Sequence, residues 1–546
     1  MPTKSLLINF NDCPASIDSL LPDNGLANLA GSLMRAGHKT LILDYSTIEA
    51  LRDYRTKEIQ RKLKYAFIRY KIETAIMKKM SKATHKAFGD AEVLIQRCRE
   101  KKILLIISEV RSKIADGLDF IGFKLWSGEG FIGSIKIAEA IKKEFPSIKI
   151  FAGGPQVDVF GEHILNYTDV FEALCVGEGE EVIVQLAEYA QNKRAIEEVD
   201  SLLYKRDGRT CSTEIRPIKD MDSIAEPSYD TNIYPAMEGD QKVKLVMLEE
   251  SRGCPYKCNF CIHKVKSGNK WRIRKLENVL ASIKRLTESI PTIALRFSGS
   301  NTPYFFRKEL AQAFIDRNIK IKYVGFADTR QPEKEDYKLL KKSGCISLFF
   351  GVESADDYLL KEIIDKNSDA AWVRESLTKA KEAGILVAAS IIIPCPGQTE
   401  ESVKKTIDIM IETKPDGVSV CPGIPYPKTR WFQEYEKFGY EFPENVEEKM
   451  MTYSIKYTAP PPLLAPFPFK MDGKDFYAII DEMLSASSKL ERHGITTSLN
   501  DSQLMLAHVL GMSPKQIKDL NQKGMTLGQY ERIKKAIRRF NDLVRA

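Results

Sequence analysis

The chain has 546 residues, a length typical of about three or four domains. Its content of 43% hydrophobic and 29% charged residues excludes a disordered protein, and its longest apolar runs, such as residues 103–107, are far shorter than the roughly 20 residues of a membrane-spanning helix. The net charge of +8 comes from one segment, because residues 52–113 contain 18 Lys or Arg against 7 Asp or Glu. The N-terminus lacks an apolar leader, so we expect a cytoplasmic protein without a transmembrane segment.

Residues 1–200 alternate between strand and helix patterns. We predict strands at residues 5–10, 39–44, 120–125, 148–152 and 173–176, with helices at residues 26–36, 134–145 and 180–191. This alternation predicts an α/β fold with a doubly wound, Rossmann-like parallel sheet. Ligands of such sheets bind outside the carboxyl ends of the strands, where the loops Gly153-Gly154-Pro155 and Gly177-Glu178-Gly179 lie. These two loops are therefore the first candidate site.

A Lys-rich segment at residues 50–118 interrupts the alternation between the second and third strands. It is too long for an ordinary connection and too apolar for a linker, and its pattern is mostly helical. Two interpretations stay open. The segment is either a solvated helical cap or a basic surface that attracts an anionic substrate or membrane headgroups.

The second half of the chain begins with a connector at residues 201–242, followed by a new alternation at residues 243–430. Six predicted strands, at residues 244–251, 292–299, 322–328, 347–354, 386–394 and 417–423, are separated by five helices. Parallel strands with right-handed crossovers predict a partial (β/α)6, TIM-like barrel, whose functional groups lie at the carboxyl ends of its strands. Residues 431–546 read as a Pro-rich strap and a helical domain, either a substrate lid or a packing module.

Three of the ten cysteines, Cys254, Cys258 and Cys261, follow the first barrel strand at a C-x3-C-x2-C spacing. The other seven are isolated, which argues against a secreted disulfide framework. Three thiolates on one loop can hold three irons of a 4Fe-4S cube and leave the fourth iron open to a small molecule. Structural zinc is disfavoured because His263 is too close to Cys261 for the usual spacing of a fourth ligand.

This loop resembles the signature of radical S-adenosylmethionine (SAM) enzymes, with Phe260 at the customary aromatic position before the third cysteine. The resemblance implies that the methionyl group of SAM chelates the open iron and that the reduced cluster cleaves SAM to a 5'-deoxyadenosyl radical. It also implies that the G-x-E-S element containing Glu353 and Ser354 binds SAM. Ser298 and Gly299 stand where many members have G-G-E, without its glutamate. Neither Cys395 nor Cys421 is expected to bind the cluster.

The N-terminal sequence is similar to the cobalamin-binding domain that precedes the radical domain in one branch of this family. The similarity rests on residues 22–30, on the strand and loop at 122–127, and on the two glycine loops. None of the six His lies in the D-x-H-x-x-G element that ligates cobalt in the wider fold. The resemblance implies that a side chain from the loop after the third strand faces cobalt; Trp126 is the candidate, and a core aromatic role is the alternative for it. The predicted cobalamin contacts are nine residues: Leu125, Trp126, Ser127, Gly153, Gly154, Pro155, Gly177, Glu178 and Gly179.

Together these resemblances, which cover about residues 1–430, imply a class B-like, cobalamin-dependent radical SAM methyltransferase. Such an enzyme transfers a methyl group from SAM, via methylcobalamin, to an unactivated carbon. One alternative keeps both cofactors in a cyclase, oxidase or rearrangement enzyme, and another is a radical SAM enzyme that modifies RNA, although nucleic acid is not the expected partner. The resemblance implies an external donor such as flavodoxin or ferredoxin. The substrate, whether a small molecule, a lipid or a peptide, is not specified, and the basic segment favours an anionic one.

Overall fold

The computed structural model describes residues 2–12, 17–54, 56–77, 80–290, 294–297, 299, 301–454, 463–522 and 527–545. Its first sheet has the strand order β2-β1-β3-β4-β5-β6-β7. The strands are β1 Lys4–Asn9, β2 Lys39–Asp44, β3 Phe120–Lys124, β4 Lys149–Gly153, β5 Ala173–Cys175, β6 Leu202–Arg206 and β7 Arg209–Ser212. The helices of this part are α1 Asn24–Arg35, α2 Ile48–Asp53, α3 Lys57–Met77, α4 Lys82–Ala115, α5 Glu129–Glu144, α6 Pro155–Tyr167 and α7 Val182–Ala190.

Strands β1 to β5 pair in parallel, as the alternating pattern predicts. Their near-continuous apolar sequences fit a sheet that is covered on both faces by helices. Residues 202–212, which the sequence places in the connector, instead form the antiparallel hairpin β6–β7 and extend the sheet beyond β5. The basic insertion forms the antiparallel helices α3 and α4.

The second sheet has the order β15-β14-β13-β12-β11-β8, with all neighbours parallel. Its strands are β8 Leu245–Leu248, β11 Ala294–Phe297, β12 Tyr323–Ala327, β13 Cys345–Glu353, β14 Leu386–Ile392 and β15 Gly417–Cys421, and the small hairpin β9 Ser251–Arg252 and β10 Arg272–Ile273 follows β8. The helices are α8 His263–Ser267, α9 Leu276–Ser289, α10 Tyr304–Asp316, α11 Tyr337–Lys342, α12 Ala370–Glu382 and α13 Glu400–Thr413. The predicted six-stranded partial barrel is confirmed.

The remaining elements are α14 Arg430–Gln433, β16 Tyr440–Glu441, α15 Val446–Met451, β17 Lys470–Met471, α16 Phe476–Arg492, α17 Asp501–Leu510, α18 Pro514–Gln522 and α19 Leu527–Arg545. Leu504 and Leu506 of α17 pack with Val324 and Ala388, on the sheet face opposite to α12. Helix α17 therefore fills the concave inner face of the barrel near the amino ends of its strands. Within the described ranges, no helix is long and apolar enough to cross a membrane.

Candidate functional site: the cysteine loop and the glycine loops

The cysteine loop leaves the barrel at the carboxyl end of its first strand, directly after β9. Gly253 has φ of +83°, and a Cβ at this position would overlap the Lys270 carbonyl oxygen, so the turn into Cys254 requires glycine. Asn259 fixes the middle of the loop by two hydrogen bonds. Its backbone N–H donates to Ile364 O (2.8 Å), and its side-chain amide donates to Ile363 O (3.0 Å). The loop is thus held by backbone contacts before any ligand binds.

The three loop cysteines, Cys254, Cys258 and Cys261, are unpaired thiols in a partly buried position. Burial raises the pKa of all three, to about 12 for Cys261, so the thiols stay protonated until a cation displaces the proton. In the described part of the chain, no group of three or more His, Cys, Asp or Glu converges on one metal position. A 4Fe-4S cube fits this arrangement, because each thiolate binds a different iron and the sulfurs stay apart.

Positive charge lies beside these thiols. The Arg330 Nη2 donates to Cys258 Sγ at 3.4 Å, while its guanidinium stacks on the Tyr256 ring at 3.5 Å and pairs with Asp328. Arg330 lies just past the carboxyl end of β12, and Lys366 also favours the ionised form of Cys258. An anionic, thiolate-bound cluster would therefore be partly neutralised by fixed cations. The position of Arg330 after a predicted strand was the one sequence signal for a residue beside the cluster, because Arg330 belongs to no recognised sequence motif.

The predicted SAM residues take different positions. Glu353 has φ of +66°; it accepts a hydrogen bond from Ser390 Oγ (3.3 Å) and lies 3.8 Å from Lys366 Nζ, and burial raises its pKa. Ser354 is turned inward, where its hydroxyl contacts Thr406 Oγ1 (3.3 Å) and accepts from the backbone N–H two residues later (3.1 Å). Of Glu353 and Ser354, only Glu353 therefore lies beside Lys366, one of the cations near the cysteine loop.

The remaining SAM positions lie around the same loop. The Phe260 ring packs at 5.5 Å from the buried Trp431 ring. The Gly299 N–H donates to Glu250 Oε2 (3.3 Å), a buried carboxylate that the Thr302 and Ser251 hydroxyls also bind. Glu250, which no sequence motif indicated, thus holds the loop after β11. Ser298 lies outside the described residues.

The N-terminal glycine loops lie at the carboxyl ends of β4 and β5. Gly154, with φ of +98°, precedes Pro155, the first residue of α6, and Leu125 N–H donates to Gly153 O (2.9 Å). In the second loop, Gly177 N–H donates to Asp158 Oδ1 (2.8 Å). At Gly179 a Cβ would lie 3.1 Å from the Leu29 side chain, so this position has no room for a side chain without movement.

Trp126 follows β3 at the same edge of the sheet and is half-buried. Its Nε1 donates to Asn9 Oδ1 (2.7 Å), and Lys124 Nζ lies 4.4 Å from the ring centroid. Lys124 is held in turn by Asp23 at 2.7 Å. The indole is therefore fixed in orientation, whereas the next residue, Ser127, is exposed.

A buried ionic cluster joins the two sheets. Glu178 accepts two hydrogen bonds from Arg272 (2.6 and 2.7 Å), and Glu180 pairs with Arg252, two residues before Cys254. The Glu178 carboxylate is thus bonded to the hairpin that carries Arg272. Further along this interface Lys428 Nζ, just after β15, donates to Asp158 O (2.6 Å). The carboxyl ends of both sheets therefore face each other, with the cysteine loop and the glycine loops on opposite sides.

Residues 249–410, which contain the cysteine loop and most of the barrel, match the family described as the Radical SAM superfamily. This part of the chain is a radical SAM domain. The match begins within the β8–β9 turn and ends in α13.

Curated proteins are similar to this chain over about half of its length. An uncharacterized methyltransferase, PH0819, of Pyrococcus horikoshii is 28% identical over 305 residues, 54% of this chain and 65% of that protein. The anaerobic magnesium-protoporphyrin IX monomethyl ester cyclase of Cereibacter sphaeroides is 25% identical over 323 residues, 55% of this chain and 51% of that protein. The chain thus matches between half and two thirds of the length of these relatives.

The similarity in fold extends beyond the radical SAM domain. The solved structure of the radical SAM methyltransferase TsrM of Kitasatospora setae, with cobalamin and a [4Fe-4S] cluster bound, superposes with a TM-score of 0.61 at 14% identity. The superposition covers 98% of this chain and 99% of that chain. Both sheets and the C-terminal helices are therefore shared, which establishes the architecture.

Proposed function

We propose that the protein is a cobalamin-dependent radical SAM methyltransferase that methylates an unactivated carbon. The observation that carries this proposal is the apposition of the cysteine loop and the glycine loops, which Arg252 connects through Glu180. Two groups bound at these loops would face a common space, the usual place for a substrate between domains. The named activities of TsrM and PH0819 support the same conclusion.

The donor set fits the two cofactors. Cys254, Cys258 and Cys261 hold three irons of a 4Fe-4S cluster, which, with SAM, supplies a 5'-deoxyadenosyl radical. Phe260, Gly299 and Glu353 line the SAM side, and Ser298 belongs to the same proposed set. Ser354 supports this set from behind, since its hydroxyl faces the core.

The glycine loops receive cobalamin, which supplies a methyl carrier. The small residues Gly153, Gly154, Gly177 and Gly179 leave room for its nucleotide tail, with Pro155 starting the adjacent helix. Leu125, Trp126 and Ser127 follow β3, and the fixed Trp126 ring is the side chain that we propose to contact cobalamin. Glu178 contributes indirectly, because its bonds to Arg272 hold the second loop against the barrel.

The chain's own residues orient these groups and exclude water. Arg330 and Lys366 offset the negative charge of the cluster. The buried Arg252, which pairs with Glu180, holds the cysteine loop next to the second glycine loop. We further propose an external one-electron donor such as flavodoxin or ferredoxin, a small-molecule, lipid or peptide substrate, and a cytoplasmic location.

A stoichiometry measurement tests the methyl transfer. The anaerobically purified protein is incubated with methyl-labelled SAM, reductant and fractionated candidate substrates. The proposal predicts two SAM consumed per product, one yielding S-adenosylhomocysteine and one yielding 5'-deoxyadenosine, with label in the product. A product that gains no label, formed with one SAM, would instead support a cyclase-type reaction like that named for the Cereibacter relative.

A further inference from the structure

The basic insertion carries an apolar face that is exposed to solvent. On α3, Tyr65, Ile68, Ile72 and Ile76 recur at spacings of three and four residues, which places them on one side of the helix. Their exposures are 55%, 48%, 54% and 76%. We call these four residues the α3 stripe. Seven of the fifteen exposed large apolar side chains among the described residues lie on α3 and α4, a concentration that scattered surface residues would not give.

The stripe is not needed to hold the helix in place. The opposite side of α3 packs against α4 in a small core that includes Leu63, Ala66 and Phe88, with the Phe67 and Phe88 rings 5.0 Å apart. A surface helix with one buried face is expected to be polar on the other. Helix α3 instead has apolar residues on both sides, so we infer that another surface covers its outer side.

Cations surround this stripe. Helix α3 contains six Lys or Arg against two Glu, and one of these, Glu73, is buried in a pair with Arg69 (2.9 Å). Lys64 and Lys71 are exposed next to Tyr65 and Ile72 and pair with no carboxylate in the described part of the chain. Three isoleucines and one tyrosine framed by unpaired lysines match the layering of a bilayer surface, where acyl chains lie below anionic headgroups. A nucleic-acid surface would favour aromatic and Arg side chains for stacking.

The stripe also lies on an arm that projects from the candidate site. Arg99 of α4 pairs with Asp12 (2.9 Å) and Glu129 (3.5 Å), which follow β1 and begin α5, so α4 crosses the carboxyl edge of the sheet at this point. Residues 82–98 of α4 continue past that edge for roughly 25 Å. Arg69, the residue after Ile68 of the stripe, donates to Thr84 Oγ1 near the far end of this extension (3.1 Å).

We propose that the outer face of α3 docks on an anionic membrane surface, with the α3 stripe inserted between headgroups and Lys64 and Lys71 contacting lipid phosphates. Docking sets the arm, and therefore the carboxyl edge of the first sheet, next to the bilayer. This inference concerns a surface and does not depend on the reaction proposed above.

The test uses full-length protein with its cofactors and sedimentation with vesicles of phosphatidylcholine, with or without about 30% phosphatidylglycerol. We expect binding only to the anionic vesicles and its loss when salt rises from about 0.1 to 0.5 M. The double variant Lys64→Gln/Lys71→Gln should lower the partition coefficient about 25-fold, at about fivefold per lysine. Ile68→Ser/Ile72→Ser should lower it more than tenfold.

Ile215→Ser/Leu484→Ser, which removes equally exposed apolar side chains elsewhere, is the matched control and should bind like the wild type. All variants should keep the wild-type urea midpoint, since each altered side chain is exposed. The proposal is overturned by equal binding to neutral vesicles or by no effect of the α3 variants. It is equally overturned if vesicle binding is absent and the same variants abolish binding to RNA or self-association measured by sedimentation velocity.

Discussion

Replacement of Arg252 by Met tests whether the ionic cluster holds the two sheets together. The Arg252 side chain is 9% exposed and bonds to Glu180 and Glu249, with Glu178 at 3.6 Å. Removing the guanidinium that pairs with the buried Glu180 carboxylate leaves a poorly compensated charge, which typically costs about 3–5 kcal/mol. We therefore expect Arg252→Met to lower the free energy of the first urea transition by about that amount. The control, Arg374→Met, breaks an exposed pair with Glu412 and should cost less than about 1 kcal/mol.

The pH dependence of this loss gives a sharper test. Burial by itself raises the pKa of Glu180, but the Arg252 guanidinium outweighs burial and the pKa lies below its ordinary value. The wild-type pair therefore contributes stability that is present above the ordinary carboxyl pKa and is lost as the pH falls through the lowered one. In Arg252→Met the guanidinium is gone and burial, the largest influence on Glu180, prevails, so the pKa of Glu180 rises and the variant gains stability as the pH falls from 7 to 5.

The assay is urea unfolding at several pH values, with iron content measured on each sample so that cluster loss is seen separately. A Glu180→Gln change in the Arg252→Met background should recover part of the lost stability, because it removes the unpaired charge. A loss below about 1 kcal/mol, or a pH profile parallel to that of the wild type, would show that Arg252 does not hold the two sheets together.

Two further predictions concern the cysteine loop and the far end of the barrel. Arg330→Gln should lower the cluster reduction potential by on the order of 100 mV, since a nearby positive charge favours the reduced form. Arg330→Lys keeps the charge and should leave the potential close to that of the wild type. An unchanged potential for Arg330→Gln, in a redox titration followed by EPR, would exclude an effect of Arg330 on the cluster. Asp18 is buried against Asn500 and Gln503, and burial raises its pKa to about 6. Its neutral form is favoured by folding, so this contribution to stability is present below pH 4 and is lost as the pH rises through 6. Asp18→Asn should therefore stabilise the protein at pH 7.5 by at most about 3 kcal/mol and flatten that profile in urea unfolding; a destabilised variant would contradict the assignment.

The sequence predicted those parts of the fold that rest on local periodicity. All six strands of the barrel, the parallel part of the first sheet and the helical insertion follow from apolar runs that alternate with helical patterns. The hairpin β6–β7 was missed because short, half-exposed strands such as residues 209–212 have no strong apolar signal. The position of α17 inside the barrel was also out of reach, since nothing local distinguishes a helix that packs on the inner face from one on the outer face.

The site divides in the same way. The cysteine spacing and the glycine loops are local signals, and the structure places both at facing strand ends. The interactions of Arg330, Glu250 and Arg252 join residues that are far apart in sequence, so spacing alone could not reveal them. The bond between Glu178 and Arg272 shows the same limit, because spacing alone did not reveal it, while the predicted cobalamin contact of the Glu178 loop stays a prediction.

In the proposed enzyme, one chain holds both an iron–sulfur cluster and a corrinoid at facing loops. The most direct measurement is the iron, sulfide and corrinoid content of protein purified anaerobically from a host supplied with cobalamin. We expect about four irons, four sulfides and one corrinoid per chain, with iron lost and corrinoid retained when Cys254, Cys258 and Cys261 are replaced by Ala. About four irons with no corrinoid, even after reconstitution, would instead mean a radical SAM enzyme without cobalamin.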